Sequence, residues 1–148
     1  MFLLILYDLS YKKKVKILLT TIITPRVSET DGVGHINNVF VPIWFEAGRR
    51  EIFKIFSPDL SFKTWKLALV NINIDYKDQL FLSHEVYIKT WIEKIGNSSF
   101  QIGEKIEQTG RICVEGQATY VNYNFNTKMA ELLTADKRSA LKNFILKN

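Results

Sequence analysis

The stretch SETDGVGHINN, residues 28–38, places a carboxylate and an imidazole four residues apart, at Asp31 and His35. Glycines lie between them, and glycine allows the positive φ values and close backbone approach of a tight loop. Asn37 and Asn38 follow, and asparagine is favoured at the start of a helix. The stretch therefore predicts a polar loop that leads into a helix, with an acid, an imidazole and helix-start amides close together.

Such a loop has the groups that acyl transfer needs. A carboxylate can act as a general base or a nucleophile, and amides at a helix N-terminus can stabilise a developing oxyanion. Each residue also has an ordinary explanation. Asp31 followed by glycine is a common turn pair, His35 is equally consistent with a structural hydrogen-bond partner, and Asn37 and Asn38 are suited to capping.

The segment after the loop, residues 39–57, predicts one long helix. Its apolar residues recur at helical spacing: Val41, Trp44, Phe45, Gly48, Ile52, Ile55 and Phe56. Further apolar side chains widen this surface, so we expect the helix to be buried over most of its circumference. Pro42 is tolerated only in a first turn, which places the helix start near Asn38 or slightly later.

Strand patterns flank this helix. A segment rich in β-branched residues predicts a first strand within Val15 to Val27. Four more are predicted after the helix, from Trp65 to Tyr76, Leu82 to Ile95, Ser98 to Gln108 and Ile112 to Phe125. Gly96-Asn97 and Thr109-Gly110 are hairpin turn signals, and Ala135 to Leu146 predicts a short helix. We interpret the order as an α+β hotdog fold, in which a four-stranded antiparallel meander and the first strand wrap around one long buried helix.

Length and composition favour a single domain. The chain has 148 residues, 47% of them apolar, and no linker divides it. We expect residues 1–15 to be an N-terminal extension and residues 16–148 the domain. The apolar opening meets Asp8 after a short run and carries its lysines afterwards, which is unlike a signal peptide or a membrane span. We therefore expect a cytoplasmic protein with no membrane partner.

Cysteine and histidine are scarce, which limits other classes of site. Cys113 is the only cysteine and there are two histidines, so we expect no intrachain disulfide, no metal site and no cofactor. The formal net charge of +5 favours anionic partners without specifying one. No helix-turn-helix pattern precedes the domain, so we expect no nucleic-acid partner.

The segment TPRVSETDGVGHINNVFVPIWFEAGRREIF, residues 24–53, resembles the signature of acyl-CoA thioesterases related to 4-hydroxybenzoyl-CoA thioesterase. The acid, the glycines, the His-x-Asn-Asn element and the Phe-Glu-Ala-x-Arg element occur in the family's order, and the resemblance extends over roughly residues 20–135. It implies hydrolysis of an acyl-CoA thioester, with Asp31 as base or nucleophile. It also implies that backbone N–H groups around Asn37 and Asn38 polarise the thioester oxygen, and we assign His35 a positioning role.

The resemblance implies further residues and an assembly. Glu46 is a reserve catalytic candidate, because one branch of the hotdog superfamily uses a helix glutamate; its alternative is an ion pair with Arg49 or Arg50. Relatives often contact the CoA phosphates at positions that correspond to Lys94 and to the turn after it, here Asn97, Ser98 and Ser99. A Gly-Asn turn, however, needs no ligand to explain it. Coenzyme A is then part of the substrate. The family also implies a homodimer or homotetramer with active sites at a shared interface.

Two departures from the family and two rival functions remain. Val33 stands where some relatives carry a substrate-orienting asparagine, and the sequence has no tyrosine next to Asn38 where others have one. A non-catalytic acyl-CoA-binding hotdog module would keep the acyl and CoA sites without needing Asp31. A hotdog dehydratase or hydratase is the other rival, but the usual signature of these enzymes, with histidine ahead of the acid, is absent here. Neither acyl length nor ring preference follows from the aromatic residues.

Overall fold

A computed structural model describes residues 18–146 of the protein. Strand β1 covers Leu19–Ile23, and a 3₁₀ helix covers Val27–Glu29 before the polar loop. The remaining elements are α1 (Phe40–Gly48), α2 (Arg50–Phe56), β2 (Leu67–Tyr76), β3 (Val86–Ile95), β4 (Ser99–Gln108), β5 (Arg111–Asn124), β6 (Met129–Ala130) and α3 (Ala135–Lys142). The predicted extension at residues 1–15, and residues 16 and 17 of the predicted first strand, lie outside the described residues. Among the described residues, no helix is long and apolar enough to cross a membrane.

The predicted single helix is present as two consecutive segments, α1 and α2. At Arg49 the backbone N–H donates to the carbonyl of Glu46, three residues back, at 3.0 Å. This tighter turn marks the break, after which α2 begins at Arg50. The expectation of burial around most of the circumference is only partly met, because Ile43 is 59% exposed and Glu46 is also exposed.

The five longer strands form one antiparallel sheet in the order β1-β3-β4-β5-β2, and β6 pairs with β5. The two hairpins β3–β4 and β4–β5 are as predicted, and at the second turn Thr109 and Gly110 both have positive φ. The predicted four-stranded meander is wrong in one respect, since β2 pairs with β5 and not with β3. Residues 77–85 form a connection long enough to cross the end of the sheet, and both edges of β3 are taken by β1 and β4.

The curled sheet packs against α1 and α2, and this is the predicted α+β hotdog fold. Two glycines, one on the helix and one on the sheet, allow the helix and the sheet to approach each other closely. A Cβ at Gly116 of β5 would lie 2.7 Å from the Phe45 ring, and one at Gly48 would lie 2.7 Å from Thr90 Oγ1. Since a Cβ essentially never approaches that closely, both positions need glycine for the helix to reach the sheet.

Arg49 turns into the core instead of facing solvent. It is 1% exposed and forms a bidentate pair with Glu104 of β4, with N–O distances of 2.8 and 2.7 Å, and a 3.0 Å hydrogen bond to the Tyr120 hydroxyl. Burial raises the pKa of Glu104 to about 6, while the hydrogen bonds and charge of Arg49 act in the opposite direction. Glu104 therefore remains ionised and paired at neutral pH, with Arg49 connecting the helix break to the sheet.

Candidate active site

The polar loop is closed by backbone hydrogen bonds at its base. The Asp31 N–H donates to the His35 carbonyl at 2.9 Å, and Gly32 and Gly34 between them have φ values of 93° and 87°. The Ile36 N–H donates to the Leu80 carbonyl at 2.8 Å, which ties the loop to the connection between β2 and β3. The two glycines thus provide the left-handed backbone that brings the acid and the imidazole to the same end of the loop.

A buried carboxylate, Glu29, anchors the loop from beneath. It accepts hydrogen bonds from the Arg26 backbone N–H and side chain, at 2.8 Å each, and from Trp44 Nε1 of α1 at 3.1 Å. Burial alone would raise the pKa of Glu29, but the hydrogen bonds from Arg26 and Trp44 outweigh it and lower the pKa below the usual glutamate value. Sequence reasoning missed this residue, because its partner on α1 lies fifteen positions away.

The loop and the helix start border one surface cavity of about 430 Å³. Four of the predicted site residues line it: Asp31, His35, Asn37 and Asn38. The structure adds Tyr76 at the end of β2 and Asp78, Gln79 and Leu80 from the connection that follows, none of which we predicted. No local motif marks these residues, since they reach the cavity only because β2 pairs with β5 and the connection crosses the sheet end.

Asp31 is exposed and lines this cavity. Its Oδ1 accepts a hydrogen bond from the Val33 N–H at 3.1 Å, which is the side-chain-to-backbone contact of an Asx turn. Among the described residues, no hydrogen-bond partner is found for Oδ2. Asp31 therefore has one oxygen that orders the loop and one that is available to a substrate or a water molecule.

His35 is half-buried and packs edge-on against Phe81, with ring centroids 5.0 Å apart. Within residues 18–146, no hydrogen bond joins its ring nitrogens to Asp31. The imidazole is thus held in the cavity wall by an aromatic contact, with its polar edge free of Asp31. Its assigned positioning role stays a prediction.

The amides at the helix start are not equally available. The Asn37 N–H donates to the Glu29 carbonyl at 2.8 Å, so it is already occupied, and the Asn37 side chain accepts from the Val39 N–H at 3.2 Å. The N–H groups of Phe40 and Val41 donate to the carbonyls of Asn37 and Asn38, at 3.0 and 3.3 Å respectively. No acceptor for the Asn38 N–H is found in the described part of the chain. Of the two predicted oxyanion donors, Asn38 is therefore the one left free.

Glu46, the reserve candidate, does not line this cavity. It lies on the exposed side of α1. The ion pair considered between Glu46 and Arg49 is wrong, because Arg49 turns inward to Glu104. No ion pair between Glu46 and Arg50 is found among residues 18–146 either. The carboxylate of Glu46 is therefore directed to solvent in the single chain.

The predicted CoA contacts lie at the opposite end of the sheet from Asp31. Lys94 and Ser99 line a separate cavity of about 240 Å³, while Asn97 and Ser98 form the β3–β4 turn beside it. Strand β3 has ten residues, and at about 3.3 Å per residue it separates this turn from the Asp31 end by roughly 30 Å. One chain alone does not bring the two predicted parts of the site together.

Comparisons with known proteins agree with this fold. The model of the thioesterase-like superfamily matches residues 25–148. The Bacillus subtilis protein YsmA is 30% identical over 124 residues, covering 80% of this chain and 82% of that protein. A structure described as a predicted thioesterase from Bacillus stearothermophilus is 50% identical with a TM-score of 0.86, covering 88% of this chain and 98% of that one. A Thermus thermophilus thioesterase, solved with coenzyme A and zinc, shares the fold at 20% identity, with a TM-score of 0.75 over 84% of this chain and 92% of that one.

Proposed function

The chain belongs to the thioesterase-like superfamily, and we propose that it is an acyl-CoA thioesterase that hydrolyses a CoA thioester to a free acid and coenzyme A. The observation that carries this proposal is the shared cavity, which combines the Asp31 carboxylate with the free Asn38 amide at a helix N-terminus. A thioester carbonyl placed between these groups has a base or nucleophile on one side and an oxyanion donor on the other.

In the proposed reaction, the thioester oxygen accepts a hydrogen bond from the Asn38 N–H. Asp31 Oδ2 then either takes a proton from a water molecule that attacks the carbonyl carbon, or attacks that carbon itself to form an anhydride that water hydrolyses. In both routes the carbon–sulfur bond breaks and the CoA thiolate leaves and takes up a proton. The positive end of the helix dipole favours the negative charge that develops on the oxygen.

A single-turnover reaction in ¹⁸O-labelled water distinguishes the two routes. A general base directs the label only into the acid product. A nucleophilic Asp31 allows the label to enter its own carboxylate, which mass spectrometry of the peptide containing Asp31 detects.

We further propose that two copies pair through β2, as a homodimer or within a homotetramer. Strand β2 is an edge of the sheet and exposes Leu69, Val70 and Ile72, with Val70 57% exposed. An exposed apolar edge strand favours pairing with another strand, and a two-fold axis makes the two copies of β2 antiparallel.

This pairing would complete the proposed CoA site. Val121 of β5 pairs with Ala68 of β2 on one side and with Ser99 of β4 on the other, so the β3–β4 turn lies at the Leu67 end of the sheet. Antiparallel copies of β2 place the Leu67 end of one copy beside the Tyr76 end of the other. The Lys94 and Ser99 of one copy then lie near the Asp31 cavity of the other, which supports their proposed role as CoA contacts. The Thermus thermophilus relative, solved with coenzyme A, supports the same class of ligand.

The test is a panel of aliphatic and aromatic acyl-CoAs, with released thiol measured colorimetrically and acyl-CoA binding measured in parallel. Turnover of at least one substrate supports the proposal. Tight binding without turnover across the panel would instead favour the acyl-CoA-binding module, in which the Asx turn of Asp31 would be purely structural.

A further inference from the structure

Tyr76 connects the edge strand β2 to the start of α1. It is the last residue of β2, and its register neighbour on β5 is Val114, which pairs in turn with Ile106 of β4. Both of those side chains are buried against the helix, so Tyr76 faces the same side of the sheet as the helix. From there its hydroxyl donates a hydrogen bond to the Asn38 carbonyl at 2.8 Å.

That hydrogen bond fixes the residue that carries the free amide. The Asn38 carbonyl also accepts the Val41 N–H at 3.3 Å, in the first turn of the helix. On the other side of Asn38, its N–H shares a peptide group with the Asn37 carbonyl, which accepts the Phe40 N–H at 3.0 Å. Asn38 is thus held at both of its flanking peptide groups, and it lines the same cavity as Tyr76.

We propose that Tyr76 is a positioning residue for thioester hydrolysis, which holds the Asn38 N–H in the orientation that meets the developing oxyanion. This inference rests on the proposed thioesterase function and adds a residue to it. Burial raises the pKa of Tyr76, so its hydroxyl stays protonated and able to donate over the neutral and mildly alkaline range. Tyr76 is 50% exposed.

The physical consequence is a selective effect on the transition state. A hydrogen bond to an oxyanion strengthens as negative charge develops, so an imprecisely directed N–H costs more in the transition state than in the bound substrate. Removal of a whole oxyanion donor costs about a hundred- to a thousandfold in kcat. Loss of the group that directs the donor leaves the donor present, and we expect a smaller loss of about three- to thirtyfold.

The test is Tyr76→Phe, which removes the hydroxyl and keeps the ring. The matched control is Tyr87→Phe, because Tyr87 lies on β3 away from the cavity and is also partly exposed. We expect Tyr76→Phe to lower kcat about three- to thirtyfold with KM within about twofold, and Tyr87→Phe to leave both unchanged. A thioether analogue of the substrate, which lacks the carbonyl oxygen, should bind wild type and Tyr76→Phe with the same Kd.

Three results would overturn the inference. An unchanged kcat in Tyr76→Phe would remove the positioning role while wild-type hydrolysis leaves the proposed function intact. A rise in KM and in the thioether Kd with constant kcat would make Tyr76 an ordinary binding contact. A wild-type protein that hydrolyses no acyl-CoA would overturn the proposed function itself, and the positioning role with it.

Discussion

Asp31→Asn is the substitution that tests the proposed chemistry most directly. The amide that replaces the carboxylate is nearly the same size, and its oxygen can still accept the Val33 N–H that orders the Asx turn. The backbone hydrogen bond from residue 31 to the His35 carbonyl does not involve the side chain and remains. The loop should therefore keep its shape, and the change isolates the loss of a base or nucleophile.

The size of the effect follows from what Asp31 Oδ2 supplies. General bases contribute about a hundred- to ten-thousandfold, and a hundredfold corresponds to about 2.7 kcal/mol of activation free energy. Because Asp31 is exposed and forms no ion pair among the described residues, its neutralisation should change the free energy of unfolding by less than about 0.5 kcal/mol. We therefore expect kcat to fall at least about a hundredfold, with the fold and acyl-CoA binding retained.

The assay is thiol release from the best acyl-CoA of the panel, with melting temperature and acyl-CoA binding measured on the same samples. Glu46→Gln tests the alternative catalytic residue. Because Glu46 lies on the exposed side of α1 outside the cavity, we expect Glu46→Gln to lower kcat much less than Asp31→Asn does. If Asp31→Asn kept most of its activity while Glu46→Gln lost it, the helix glutamate would replace Asp31 as the reactive group. That outcome would contradict the role of Asp31 that we infer from its place in the cavity.

Three further predictions concern stability and assembly. Arg49→Met should destabilise the protein by about 3–5 kcal/mol in urea unfolding, because it leaves Glu104 buried without its partner. Adding Glu104→Leu should recover part of that loss. A double variant as unstable as the single one would contradict this prediction. Because the pKa of Glu29 is lower in the folded state, its ionised form stabilises the fold at pH values above its ordinary pKa of 4.5. This contribution is lost as the pH falls through the lower pKa of the folded state. The stability advantage of wild type over Glu29→Gln should therefore shrink on acidification, and an advantage independent of pH would argue against it. Val70→Lys should convert the proposed dimer to monomer in light scattering and reduce activity with it. Leu132→Lys, also at an exposed apolar position but outside β2, should do neither.

The local elements of the fold were predictable from the sequence. Alternation and turn residues placed β3, β4 and β5 within a few residues of their observed ends, and the Thr109-Gly110 turn is where its residue types indicated. The polar loop was also predictable, because the two glycines dictate its positive φ values and its asparagines lead directly into the helix. These features depend on residues close together in the chain, so a single sequence carries their signal.

Features that depend on contacts between residues distant in sequence could not be predicted from the sequence. The pairing of β2 with β5 is such a feature, and it brings Tyr76 to the Asn38 carbonyl across 38 positions. The sequence also did not indicate which helix-start amide is free, because the Asn37 N–H donates to the carbonyl of Glu29, eight residues earlier. A helix arginine such as Arg49 is ordinarily expected to face solvent, yet here it is buried in the core, where it pairs with Glu104, fifty-five residues later. Hydrophobic periodicity specifies which face of an element is buried, but strand order and polar partners are set by non-local packing and hydrogen bonding, which no short pattern encodes.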